Sequence, residues 1–345
     1  MAATRFESSC FTGRTVDLGF AFLSADYQLL PPATGHDIAS DVQDLISFLD
    51  SMDVTFLASV AETQRQVSCK INTHALVLAG SSAGGLCAYL GANAHPKPKA
   101  LISLYGMGGD FLVRRSIHSI RTQCYRPCYY FIQTPYWLEP KRGIFIPGRE
   151  ILDPGSFENF IYPSHLSTTT DSPLEYHPDN HPTPGLPANP RMYLARLYCQ
   201  LGTYLDYYTG EHDPSLSQTL MRRRQAVLAT LEEYIDGGQT TLTMPEDWGG
   251  PLIPAHHRSL FPQLSVTSEW PEVFLIHGAE DNHVHCHESE HMKELLEKVE
   301  VEVTLKVIEG KGHSFDYDPS AEEGCSGLFN EVGKFLRRVL SKTPC

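Results

Sequence analysis

Three short stretches of the chain carry residue types that can do covalent chemistry. The first is Gly80-Ser81-Ser82-Ala83-Gly84, a G-x-S-x-G pattern. It follows the apolar run Leu76-Val77-Leu78-Ala79 and precedes residues 83–92, mostly small residues and Leu that suit a helix. A serine on so tight a strand-to-helix turn is forced into a strained backbone conformation, with its Oγ held clear above a sheet. Small neighbours are then required, and Gly80 and Gly84 are read as the positions that let strand and helix approach. The N–H of Ala83, at the start of the helix, would face an oxyanion developing on a substrate attacked by Ser82.

A serine hydroxyl is a weak nucleophile, so it needs a base, and the base needs an acid to orient it. Two later loops offer these in the order serine, acid, histidine. The apolar residues 273–276 run into His277-Gly278-Ala279-Glu280-Asp281-Asn282-His283-Val284. Its carboxylates thus fall in the loop leaving a strand's C-terminal end, where open α/β sheets collect functional groups. Glu280 is the rival of Asp281 for the acid. Residues 301–307 run into Glu309-Gly310-Lys311-Gly312-His313-Ser314-Phe315, whose two glycines let the loop bend so that His313 turns back over the sheet.

A different chemistry is written in His287-Glu288-Ser289-Glu290-His291, a literal H-E-x-x-H. Its histidines, at i and i+4, could share a helix face and hold zinc, with Glu288 as base and His283 and His285 as further ligands. A chain with 16 histidines meets such a pattern by chance. The segment also follows the acid loop, where a polar outer helix face is expected, so no metal is assigned here.

The elements that must position these loops are legible as an alternation. Residues 19–25 read as a buried strand, apolar on both faces. A helix opens at Asp37, with Ile38, Val42, Leu45, Ile46 and Leu49 on one face. Strands follow at 75–79 and 100–105, separated by the helix after the serine turn. Strand then helix, repeated, marks a parallel, doubly wound α/β sheet. From residue 111 to 265 the rhythm breaks into a stretch dense in aromatics, Pro and His over 127–190, then helical patches near 190–206 and 214–235. An aromatic-rich insertion of this length is read as a lid over a pocket. The alternation resumes with a strand at 273–277 and a helix at 287–298. Val301, Val303, Leu305 and Val307 then alternate with polar residues, as in a half-exposed edge strand. A last helix spans about 326–340. The core is therefore 1–110 with 266–345, and 111–265 is the insertion.

With 345 residues and a formal charge of −14, the chain can bury a sizeable core, and nucleic acid and anionic membrane surfaces are disfavoured as partners. No apolar run is long enough to span a bilayer, and residues 1–15 lack a signal-peptide core. Nine scattered cysteines read as reduced thiols of a cytoplasmic protein, those of Cys124-x-x-x-Cys128 included.

Gly80-Ser81-Ser82-Ala83-Gly84-Gly85, His277-Gly278-x-x-Asp281-x-x-Val284 and Gly312-His313-Ser314-Phe315 resemble the three catalytic loops of the α/β-hydrolase superfamily. Asp26-Tyr27-x-Leu29 resembles the hormone-sensitive-lipase-like esterases of that superfamily. The resemblance covers residues 16–110 and 270–340. It implies Ser82 as nucleophile, His313 as general base and acid, Asp281 as orienting carboxylate, Ala83 as one oxyanion donor, an ester of a small substrate, and no cofactor; the composition of the aromatic, Pro-rich stretch suggests a largely apolar acyl or alcohol group. It also implies a His-Gly-Gly loop ahead of residue 19 that completes the oxyanion hole. Residues 1–18 hold no such loop, with Gly13 as their one glycine. A shortened N-terminus, first strands absent and weakened activity are the expectations that follow. Ser82-Ala83-Gly84-Gly85 and Asp281-Asn282-His283-Val284-His285 are similar to prolyl-oligopeptidase-type peptidases as well. An amidase or peptidase of the superfamily and an inactive binding protein on the same fold are the alternatives.

Overall fold

The computed structural model describes residues 9–51, 55–60, 65–70, 72–111, 154–167, 194–236, 249–318 and 320–341. Helix α1 (Ser9–Asp17) comes first, where the sequence carried no pattern. Helix α2 (Gly35–Ser51) opens on a reciprocal cap. The Asp37 carboxylate accepts the Thr34 N–H at 2.7 Å, and the Thr34 hydroxyl accepts the Asp37 N–H at 3.4 Å. Ile38 and Ile46 bury the expected face. An antiparallel hairpin, β1 (Thr55–Val60) and β2 (Arg65–Lys70), was not foreseen. Its connection, 61–64, is Ala-Glu-Thr-Gln and carries none of the Asn-Gly or Asp-Gly signals that announce a hairpin.

The main sheet then builds in sequence. Strand β3 (Val77–Ser81) leads through the serine turn into α3 (Ala83–Leu90), and β4 (Ala100–Leu104) follows. Among the described residues of the 111–265 region stand the α-helices α4 (Leu194–Leu201), α5 (Tyr204–Thr209) and α6 (Leu216–Asp236). After it come β5 (Glu272–Gly278), α7 (His287–Lys298), β6 (Val303–Ile308) and α8 (Ser326–Ser341). The four strands β3 to β6 lie side by side in chain order and all run parallel. Successive side chains of a strand point to opposite faces, and both faces are covered. Ile102, Leu104, Phe274 and Ile276 pack on Leu328, Phe329, Val332, Phe335 and Leu336 of α8. Leu101, Val273 and Leu275 pack on Tyr89 of α3 and on Met292 and Leu296 of α7. The fold class is thus doubly wound α/β, and β6 is the half-exposed edge strand that its alternation predicted.

Residues 19–25 correct the sequence reading. They form no strand, and Phe22 and Leu23 stand 39% and 52% exposed. An apolar run becomes a strand only when another backbone pairs with it. Among the described residues no strand pairs with this segment, and none pairs with β3 on the side away from β4. Strand β3 is accordingly the other edge of the sheet, and Ala79 in it is exposed.

A third apolar cluster gathers much of the described part of residues 111–265. Leu197, Tyr198, Tyr204, Leu205, Tyr208, Leu220 and Phe261 pack together with Leu86 of α3 and with Met107 and Phe111 beyond β4. Most of the aromatic stretch 127–190, and with it Cys124 and Cys128, lies outside the described residues. Cys87, Cys199, Cys286 and Cys325 are free thiols. Among the described residues no helix is long and apolar enough to cross a membrane.

Candidate active site

At the C-terminal end of β3 the chain turns directly into α3, and Ser82 sits on the turn at φ 54°, ψ −119°. A non-glycine residue at this φ is strained, and the surroundings hold it there. Ser82 N–H donates to the Leu104 carbonyl at 3.0 Å, while the Ser82 carbonyl accepts N–H groups from Gly85 at 3.0 Å and Met107 at 3.1 Å. Room for the turn comes from Gly80, where a Cβ would lie 1.9 Å from the Gly84 carbonyl oxygen. Room for the helix comes from Gly85, where a Cβ would lie 2.3 Å from Gly106 Cα. Gly84, expected to share this role, has open space at its Cβ position, so it is Gly85 that permits the close approach of helix and sheet. Ala83 is the first residue of α3, and its N–H therefore has no acceptor within the helix.

The acid and base loops leave neighbouring parallel strands, β5 and β6, and are fastened to each other. Ala279 N–H donates to the Ile308 carbonyl at 3.0 Å and Glu280 N–H to the Lys311 carbonyl at 2.9 Å. Gly278 makes this possible, since a Cβ there would meet the Lys311 carbonyl oxygen at 2.3 Å. The result brings Ser82, Asp281 and His313 together. His313 Nε2 stands 3.0 Å from Ser82 Oγ, and His313 Nδ1 stands 2.8 Å from Asp281 Oδ2. The other carboxylate oxygen of Asp281 accepts the N–H groups of His283 at 2.8 Å and Val284 at 3.0 Å. Burial alone would push the Asp281 carboxyl up. The hydrogen bonds from His277, His313 and the His283 N–H outweigh it and hold the group well below the usual carboxylate range.

Two neighbours were not assigned a role from the sequence. His277 is fully buried beneath the acid. Its Nε2 lies 2.8 Å from the Val284 carbonyl, which can only accept, so Nε2 carries the proton. Its Nδ1 then accepts from the Ser289 hydroxyl at 2.7 Å. The same Nε2–H stands 3.4 Å from Asp281 Oδ2 and supports the carboxylate from behind. Tyr105 packs its ring 4.7 Å from that of His313 and bonds through its hydroxyl to buried Asp316. Both residues carry sequence signals, one in H-G-x-x-D and one at a strand end. Neither signal states a role.

A parallel sheet with helices on both faces, with a serine held in a strained strand-to-helix turn at its C-terminal end, is a defined arrangement. The described sheet and serine turn have that arrangement, in a doubly wound α/β fold. Residues 238–342 match the family described as the prolyl oligopeptidase family. This span holds Asp281 and His313 but not Ser82. No curated protein matches the chain. Similar solved structures include a truncated form of a carbohydrate esterase from gut microbiota, at 12% identity and TM-score 0.46, covering 96% of this chain and 79% of that one. A hyperthermophilic esterase from the archaeon Pyrobaculum calidifontis aligns at 11% identity and TM-score 0.46, over 98% and 72% of the two chains. Carboxyl esterase 2 from the mycorrhizal fungus Tuber melanosporum aligns at 13% identity and TM-score 0.45, over 98% and 74%.

The H-E-x-x-H segment forms the first turns of α7, and Glu288 points inward rather than toward solvent. Its carboxylate accepts the N–H groups of Asp110 at 2.8 Å and Gly108 at 3.1 Å, tying α7 to the loop after β4. His291 Nδ1 lies 2.7 Å from the Gly109 carbonyl, and His287 Nε2 lies 3.3 Å from the Asp110 carboxylate. This is the pattern of a structural lock on the loop beside Ser82. Burial first, and then the charge of Asp110, push the Glu288 carboxyl from 4.5 up to about 7. Folding therefore takes up a proton, so the stability this group contributes below about pH 4.5 is lost as pH rises through about 7. Glu288→Gln keeps an oxygen for both N–H groups but cannot ionise. Denaturant unfolding at pH 5 and pH 8 should show the variant gaining on the parent by on the order of 1–3 kcal/mol at the higher pH. A difference that does not change with pH would contradict this.

Proposed function

We propose that the chain is a serine hydrolase of the carboxylesterase type, cleaving an ester of a small, largely apolar substrate through an acyl-enzyme on Ser82. The observation that carries this reading is the continuous hydrogen-bonded line from Ser82 Oγ through both nitrogens of His313 to Asp281. With Asp281 ionised, His313 keeps its proton on Nδ1, and Nε2 is left to accept the Ser82 proton. The serine oxygen attacks the ester carbonyl, and the alcohol departs with the proton that His313 returns. Water, deprotonated by His313, then frees the acid and restores the serine. Ala83 N–H would face the oxyanion of each tetrahedral intermediate. Residues 111–265 are proposed as the cap. In support, their described helices share an apolar cluster with Leu86, in the helix after the serine turn, and with Met107, whose N–H donates to the Ser82 carbonyl.

Hydrolysis of short-chain nitrophenyl esters tests the proposal. Saturable turnover, favouring short apolar acyl groups, is the expected result. No turnover would favour an inactive binding protein on this fold. The match over residues 238–342 favours amide bonds as the second reading. Cleavage of anilides in preference to the corresponding esters would establish it.

A further inference from the structure

Away from Ser82, where the insertion meets α2, three side chains converge from two separate segments. Glu211 follows α5, in a turn that begins at Gly210, whose φ is +79°. His256 and His257 lie in the 3-10 turn Ala255–Leu260. One donor atom from each of these three residues falls within 4.8 Å of the others. We propose that Glu211, His256 and His257 form a zinc(II) site that joins two segments of residues 111–265 to each other beside α2.

The argument turns on His257, which is 2% exposed. Its Nδ1 lies 2.8 Å from Nε2 of His36, in the first turn of α2. Its Nε2 is buried and makes no hydrogen bond, although Glu211 Oε2 is only 3.2 Å away. The separation suits a hydrogen bond and the direction does not. A shared cation accounts for both. Two ligands bound at about 2.0–2.1 Å and a tetrahedral angle stand about 3.3 Å apart, with neither atom aimed at the other. With Nδ1–H donating to His36, Nε2 presents a lone pair beside a carboxylate oxygen, and a cation between them reconciles two acceptors. His36 is then the outer partner that fixes the tautomer and orientation of a ligating imidazole.

The second histidine completes the set. His256 Nε2 stands 2.7 Å from Glu211 Oε1, and the His256 and His257 rings are 4.0 Å apart between centroids. Both His256 and Glu211 reach solvent, so a cation can enter without opening the core and a water can take the fourth position. Two imidazoles and one carboxylate suit zinc. The site is independent of the Ser82 chemistry.

Zinc titration of the metal-stripped full chain, followed by competition with a chromophoric chelator at pH 7.5, tests this. One equivalent should bind with a micromolar or tighter Kd, and zinc should raise the thermal midpoint. Glu211→Gln and His256→Ala alter exposed groups and should fold normally, yet each should weaken binding at least 10-fold. His36→Ala should weaken it by about 10–100-fold through the outer partner. His287→Ala, in the H-E-x-x-H segment, should leave it unchanged. Absence of a stoichiometric site, or binding that survives both Glu211→Gln and His256→Ala, would overturn the proposal.

Discussion

Replacing Ser82 by alanine is expected to lower kcat for ester hydrolysis by about 10⁴–10⁶-fold with little change in stability. In the proposed mechanism the hydroxyl is the nucleophile, and in the structure it makes a hydrogen bond with His313. The turn that carries it is held by backbone contacts, to Leu104, Met107 and Gly85, which the substitution leaves in place. His313→Ala should cost about as much, and the double variant little more than either alone, because nucleophile and base act as one unit. Steady-state kinetics beside thermal unfolding distinguish loss of chemistry from loss of fold. A Ser82→Ala protein that keeps parental turnover would place the nucleophile elsewhere.

Asp281→Asn should have the next largest effect, a loss in kcat of about 10⁴-fold. One carboxylate oxygen is committed to the N–H groups of His283 and Val284, which need an acceptor. The amide oxygen of asparagine would take that place, leaving its NH₂ group against His313 Nδ1. That nitrogen must then accept, the proton moves to Nε2, and the base faces Ser82 in the tautomer that cannot take its proton. The same NH₂ would also face the Nε2–H of His277, donor against donor, 3.4 Å from the present oxygen. The expected signature is a fall in kcat with the fold intact by circular dichroism. A loss of less than about 10-fold would mean that Asp281 does not set the His313 tautomer, and Glu280 would become the acid to test.

The parts of this architecture that were legible in the sequence are those set by local pattern. Ile38 to Leu49 at helical spacing, the mostly apolar runs of β4 and β5, and the alternation of Val303 with Thr304 and Lys306 each state how many faces are buried. The serine turn and the Gly-flanked His313 loop are legible because strained or sharply bent backbone demands small residues. What failed depended on partners distant in the chain. Residues 19–25 have the composition of a strand, but pairing belongs to whichever backbone lies alongside. The hairpin of β1 and β2 lacks a turn dipeptide. The H-E-x-x-H pattern cannot tell that Glu288 faces the N–H groups of Gly108 and Asp110, far earlier in the chain. Gly84 and Gly85 are adjacent in the motif, and only the position of Gly106 decides which of them must lack a side chain.

The central claim is that His313 and Asp281 make Ser82 an activated nucleophile. The most direct measurement is reaction of the full chain with a fluorophosphonate probe, with the adduct located by peptide mass spectrometry. Such a probe bonds its phosphorus to an activated serine oxygen and does not need rapid turnover, so a poorly matched ester substrate does not mask the result. A single adduct on Ser82, lost in His313→Ala and after heat unfolding, is the predicted result. No adduct, or an adduct on another residue while Ser82 stays unmodified, would contradict the account.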